Sequence, residues 1–239
     1  MPVVTIAGRF GSPAREVGLE VAGLLGADYV DHQIIAQAAT RSGASVEDLA
    51  QMDEQAMRGR DRLARFFQNF LEKSAAAGSA GDPFLGPTGI EVLMSRSMAE
   101  AAQPAESSAE RLNDTRYIEV ITEVIQDLAR GGSAVLIGRG GNVILRDLQN
   151  ALHVYIVSSL ESRVEETMRR ESVDKARAEK LLKGREDGRS AWYKKYFKVA
   201  PEDPTLYHIF LNSDRMGMRK CARVVVEAAS EMKSVVAQS

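Results

Sequence analysis

A single cysteine, Cys221, occurs in the 239 residues, so no internal disulfide can brace the chain and an apolar core must hold it together. Such usage fits a reducing, cytoplasmic compartment. No stretch approaches the roughly eighteen apolar residues that a membrane span needs, and the first residues lack the basic-then-apolar pattern of a secretory leader. We therefore expect no membrane association. Neither sign of charge dominates: 31 Lys and Arg stand against 33 Asp and Glu, which argues against a dedicated nucleic-acid binder. His32, His153 and His208 are scattered without ligand spacing, so no zinc site is expected, and no Ser-His-Asp or Cys-His arrangement is suggested. No internal repeat is visible. What the chain has is 44% hydrophobic residues, enough to bury one substantial core together with a small inserted lid.

Short apolar runs alternate with helical patterns. Val3 to Ala7 reads as a buried strand that ends at Gly8 and feeds a loop. In the helix that follows, Ser12 can cap, Pro13 suits the first position, Val17, Val21, Leu24 and Leu25 share a face, and Gly26 stops it. Asp28 to Asp31 is a second strand, with Asp31 able to cap a helix through Arg41 that Gly43 ends. Thr115 to Arg130 is amphipathic, with Ile118, Ile121, Ile125 and Leu128 inward. Ser133 to Ile137 and Leu152 to Val157 read as strands three and four. Ser158 and Glu161 would then form a capping box for a helix carrying Leu160, Val164 and Met168. Ser172 to Lys198 is helical and basic, Tyr207 to Leu211 is a fifth strand, and a last helix runs from about Met216 to Val236.

The pattern implies an α/β fold with a parallel five-stranded sheet flanked by helices, whose ligands sit outside the carboxyl ends of the strands. Residues 1–43 and 111–239 would form the core. Residues 44–110 would be a helical insertion that binds the acceptor, carrying Leu63, Phe66, Phe67, Phe70 and Leu71 at helical spacing. The Ala-, Gly-, Ser- and Pro-rich stretch of about 74–87 is expected to be flexible. The apolar stripe before it reads as core packing or, alternatively, as a homodimer interface.

Between the first strand and first helix lies Gly8-Arg9-Phe10-Gly11-Ser12-Pro13-Ala14-Arg15-Glu16. A phosphate-binding loop at that place works through consecutive backbone N–H groups and a helix N-terminus, helped by a lysine and a hydroxyl. Here Pro13, Ala14 and Arg15 stand at the last three positions of the strict motif. Proline removes one N–H donor and the lysine is absent. Arg15 can supply the cation, which the helix dipole disfavours unless an anion compensates it. The other concentration of charge is the segment of about 169–198. It has eleven basic against five acidic residues, and Arg185 and Arg189 are one helical turn apart. It reads either as a solvated basic face or as an anion-binding lid, with Gly184 and Gly188 as candidate hinges. Trp192, Tyr193, Tyr196 and Phe197 are expected to pack it against the body rather than to stack on a base.

The stretches Thr5–Ser12 with Arg15 and Glu16, Tyr29–Ile35, Val135–Asn142, Arg185–Phe197 and Leu211–Ser213 resemble, in this order, the cytidylate kinase-like family of P-loop nucleoside monophosphate kinase relatives. The family's usual loop reads Gly-Ser-Gly-Gly-Arg-Glu, so Arg15 fits it, while Pro13 and Ala14 replace glycines that allow close approach of backbone to phosphate. True cytidylate kinases are more distant: their Gly-Arg-Asp appears here as Gly138-Arg139-Gly140, and an arginine of their second helix aligns with Gln37. The resemblance implies a phosphotransferase using ATP with Mg2+ on a small-molecule nucleotide such as CMP. Gly8 to Glu16 would hold the donor, Asp31 and Arg139 the acceptor, and Arg15, Arg185 and Arg189 the transferring phosphoryl group. The alternative is a catalytically impaired relative that binds a nucleotide or phosphometabolite as a regulatory module. A small-metabolite kinase on the same fold is a third reading.

Overall fold

Continuous apolar runs make the strands, as buried parallel strands require. A computed structural model of the chain describes residues 2–31, 98–104 and 108–236. Strands β1 (Val3–Gly8), β2 (Asp28–Val30), β3 (Ala134–Ile137), β4 (Ala151–Val157) and β5 (Ile209–Asn212) form one sheet in the order β2-β3-β1-β4-β5. Every pairing is parallel, with Ile6 opposite Ile137 and Gly8 opposite Ile156. β1 is therefore central, and the chain moves first to one side of it and then to the other. In such sheets the carboxyl ends beside the reversal are where ligands bind. The segments leaving β1, β3 and β4 meet there.

Helices α1 (Ala14–Leu25), α2 (Met98–Ala101), α3 (Ser108–Arg130), α4 (Gly141–Ile144), α5 (Leu160–Glu171), α6 (Lys175–Phe197), α7 (Ser213–Met216) and α8 (Met218–Val236) flank the sheet. Gly18 of α1 presses on Ile137 and Tyr29, while Thr5 of β1 meets Gly141 of α4. Val17, Val21, Val225 and Cys221 are fully buried in one cluster with Val4, Ile6, Val135 and Ile156, and α1 packs on α8. At about 25 cal/mol per Å² of apolar surface, burial of this kind is the main term holding the fold.

Several expected boundaries shift, each for a local reason. Helix α3 starts at Ser108, earlier than Thr115, and buries Tyr117, Val120 and Val124 beside Ile121, Ile125 and Leu128. Ser159, not Ser158, caps α5: its side chain accepts from the Ser162 N–H at 3.2 Å, while Ser158 pairs with Asp214 at 2.8 Å. Asp214 also accepts from the Ser159 N–H, and that anchor shifts the cap by one residue. Tyr207 lies outside β5, because Asp203 caps a 3-10 turn over Pro204–Leu206 just before it. The basic segment divides at Ser172, whose left-handed backbone ends α5, and Asp174 then caps α6. The expected helix up to Arg41, its stop at Gly43, Gln37, the apolar stripe from Leu63 to Leu71 and the flexible stretch 74–87 lie outside the described residues.

Candidate functional site

The loop from Gly8 to Pro13 turns tightly enough that the Ser12 N–H bonds back to the Arg9 carbonyl at 3.0 Å. Gly11 sits at φ +80°, and a Cβ there would stand 2.8 Å from the carbonyl oxygen of Arg163. Only glycine meets both conditions, left-handed backbone and contact with a neighbouring helix. The Pro13 carbonyl opens α1 by accepting from the Val17 N–H at 2.9 Å. Ser12 does not cap this helix: its hydroxyl is buried and has no partner among the described residues.

The loop is surrounded by charge from three distant segments. Phe10 donates its N–H to Oε1 of Glu186 in α6 at 2.7 Å, and its carbonyl accepts from Arg163 of α5 at 3.3 Å. Arg189 donates to the Gly8 carbonyl and to the Tyr155 hydroxyl, each at 3.1 Å. It also pairs with Glu186 at 3.1 Å and with Glu202, and Arg9 reaches Glu202 at 3.5 Å. Arg163 and Arg189 are about 5% exposed. Burial opposes the Arg189 charge, but Tyr155, Glu186 and Glu202 more than offset it and raise its pKa above the ordinary arginine value. Burial lowers that of Arg163, with Glu186 opposing. A carboxylate of α6 therefore accepts from a loop N–H, between two guanidinium groups.

Arg15 and Asp31 come together. Arg15 donates to Asp31 at 2.5 Å, with Tyr29 also donating to that carboxylate at 3.3 Å. Burial works against the Arg15 charge, but Asp31 and Tyr29 outweigh it and its pKa rises. Glu16 faces the other way and pairs with Arg170 of α5, which also pairs with Glu166.

Arg139 occupies a separate niche at the end of β3. It is buried, adopts φ +50°, and donates to the Tyr117 hydroxyl at 2.7 Å. A left-handed arginine costs on the order of 1–2 kcal/mol, and burial lowers its pKa while Tyr117 partly restores it. Beside it, Tyr193 donates to Asn142 at 3.1 Å, and burial pushes the Tyr193 hydroxyl up to about 12. Arg185 and Arg189 share a helix but part company. Arg189 turns inward, whereas Arg185 lies at the surface, pairs with Glu171 at 2.9 Å and sits 6.0 Å from the centre of the Phe10 ring.

Gly188 has a packing role. α6 is continuous, and a Cβ at Gly188 would lie 2.7 Å from that of Ala99, so the glycine lets α2 approach. Trp192 and Tyr193 are fully buried and anchor the helix to the body as expected. Sequence reasoning missed Arg163, Glu186 and Glu202. Arg163 carried a usable signal, a basic residue in the first turn of the helix after a central strand; the two glutamates carried none.

Among the described residues no helix is long and apolar enough to cross a membrane. The chain matches no curated protein in sequence. Among solved structures it is similar to an uncharacterized protein from Eubacterium ventriosum, at 13% identity and a TM-score of 0.59, covering 96% of this chain and 98% of that one. A shikimate kinase from Acinetobacter baumannii, in complex with shikimate, aligns at 14% identity over 97% and 94% of the two chains, with a TM-score of 0.44. A gluconokinase from Sinorhizobium meliloti aligns at 11% over 100% and 97%, with a TM-score of 0.45. The sheet is all-parallel, in the order β2-β3-β1-β4-β5, and a model of the cytidylate kinase-like family matches residues 3–215; the chain belongs to that family.

Proposed function

We propose that this protein is a cytoplasmic phosphotransferase that moves the γ-phosphoryl group of ATP to a nucleoside monophosphate of the CMP type. The observation that carries the reading is the Phe10 N–H donating to a carboxylate at the carboxyl end of the central strand, beside two buried guanidinium groups. A polyphosphate presents the same acceptor chemistry with more charge. Unspent donors fit it too, because the Nε–H groups of Arg163 and Arg189 have no partner among the described residues.

ATP, when bound, would supply the transferable phosphoryl group. The Gly8–Glu16 loop would hold its phosphates through backbone N–H groups, and Gly11 keeps that backbone free of a side chain. Arg15, Arg185 and Arg189 would stabilise charge in the transition state. Arg139 would bind the acceptor phosphate, its desolvated guanidinium gaining most from an anion, and Asp31 would orient the acceptor. Magnesium fits less directly. No group of three or more His, Cys, Asp or Glu that could hold a metal occurs among the described residues, and we assign it no protein ligands.

The test is ADP formation measured across a panel of nucleoside monophosphates, with Arg15→Ala beside the wild type. The expected result is turnover with a pyrimidine monophosphate, reduced about a hundredfold or more in the variant. The pairing of Arg15 with Asp31 favours a second reading, a nucleotide-binding regulatory module. Nucleotide binding without turnover on any acceptor would establish that reading instead.

A further inference from the structure

A partly buried carboxylate on a phosphate loop is an odd occupant, since it fills the position that a ligand's anion needs. Glu186 places Oε1 2.7 Å from the Phe10 nitrogen and 3.7 Å from Nη1 of Arg163, and Oε2 3.1 Å from Nη2 of Arg189. It thus accepts from the loop backbone and faces two guanidinium groups, a donor set suited to a phosphoryl group. Resting on the polyphosphate reading above, we propose that Glu186 is an internal competitor: its carboxylate occupies the anion seat of the loop, and a polyphosphate must displace it to bind.

Charge and donor counts support the exchange. Arg9, Arg163 and Arg189 bring three positive charges to the cluster, and Glu186 and Glu202 bring two negative ones. The cluster keeps a surplus of one while Glu186 is seated, and two when it leaves. The two guanidinium Nε–H groups that find no partner add donors that the carboxylates do not use. Arg189 remains paired with Glu202 when Glu186 departs, whereas Arg163 keeps the Phe10 carbonyl and turns its charge to the incoming anion. Phe10 and Arg163 are linked independently through the Phe10 carbonyl and by the close fit of Gly11 on the Arg163 backbone. The loop therefore keeps its shape while its occupant changes. The occupant sets a threshold. A ligand must bring more charge or more acceptors than one carboxylate, which discriminates in favour of a terminal phosphoryl of a chain of phosphates over a singly charged anion.

Isothermal titration of inorganic tripolyphosphate into the full chain, at fixed ionic strength, tests the proposal in the wild type, Glu186→Gln and Glu186→Ala. Thermal melts verify that each variant is folded, and the alanine variant serves should the glutamine one fail to fold. Competition predicts that both variants bind about tenfold more tightly than the wild type, as removal of one like charge implies, with the gap narrowing as salt is raised. A Glu186 that only ties α6 to the loop would lower thermal stability on replacement and leave affinity unchanged or weaker. Wild-type binding with no gain in either variant overturns the inference and leaves the phosphotransferase reading standing. No binding by any of the three proteins would overturn both.

Discussion

Along α6, the residues up to Arg189 and the residues after it meet the body through different physics. The first part meets the loop through charge: Glu186 and Arg189 enter the cluster there and Arg185 pairs with Glu171 at the surface, while Ala178 and Leu182 pack on Val164 of α5. The second part is aromatic. Trp192 packs edge-on against Tyr193 and Phe197 at 5.2–5.3 Å between ring centres, and Tyr117 meets Tyr196 at 5.6 Å. Apolar contacts have no substitute in solution, whereas a carboxylate on an N–H can be exchanged for another anion. The aromatic end is thus the fixed anchor, and the charged end is where a ligand can rearrange the helix.

The largest effect should come from breaking the anchor. Trp192→Ala removes the largest fully buried side chain and should cost about 3–5 kcal/mol of stability, as for other large-to-small changes at well-packed sites. Urea unfolding measures it, and the cost should be nearly independent of salt. A loss under about 1 kcal/mol would mean that this half of α6 is not the anchor and would erase the distinction between the halves.

Next comes the charged half. Arg189→Met leaves Glu186 and Glu202 facing each other with their shared cation gone, which should cost roughly 3 kcal/mol. Adding Glu186→Gln to Arg189→Met should recover part of that loss, because one uncompensated carboxylate disappears with it. A double-mutant cycle from four unfolding curves reads the coupling. Strict additivity would show that the two residues act apart, and the cluster would then be a set of unrelated surface pairs.

The contrast between the halves also explains what the sequence made legible. Strands were readable because buried parallel strands need unbroken apolar runs, and the loop was readable because Gly8 and Gly11 follow such a run directly. Trp192 and Tyr193 announced burial by residue type alone. Glu186 and Glu202 did not, since a glutamate in a basic stretch looks solvated, and their partners Phe10 and Arg9 lie more than 170 residues away in the chain. Charge pairing across the sheet has no local signature. The cap at Ser159 rather than Ser158 was hidden for the same reason, being decided by Asp214, 55 residues on. Gly188 hid its packing role in another way: helical glycine weakens a helix wherever it stands, and only the position of Ala99 reveals that this one makes room for a neighbour.

The smallest effect sharpens the comparison at the joint of the two halves. Gly184 and Gly188 are one turn apart in the same helix, so replacement by alanine brings each the same gain in helix propensity, up to about 1 kcal/mol. A Cβ at Gly184 meets nothing within 4 Å, and Gly184→Ala should be more stable than the wild type by that amount. At Gly188 the new Cβ would lie 2.7 Å from the Ala99 Cβ and 2.9 Å from its Cα. Backbone cannot swing aside as a flexible side chain can, so the crowding should cost about 1–3 kcal/mol and outweigh the gain. Thermal melts of the two variants side by side give the sign of each change. If Gly188→Ala proved as stabilising as Gly184→Ala, α2 would have to part from α6 without cost, and the charged half of the helix would be held by its ion pairs and by the packing of Ala178 and Leu182 on α5.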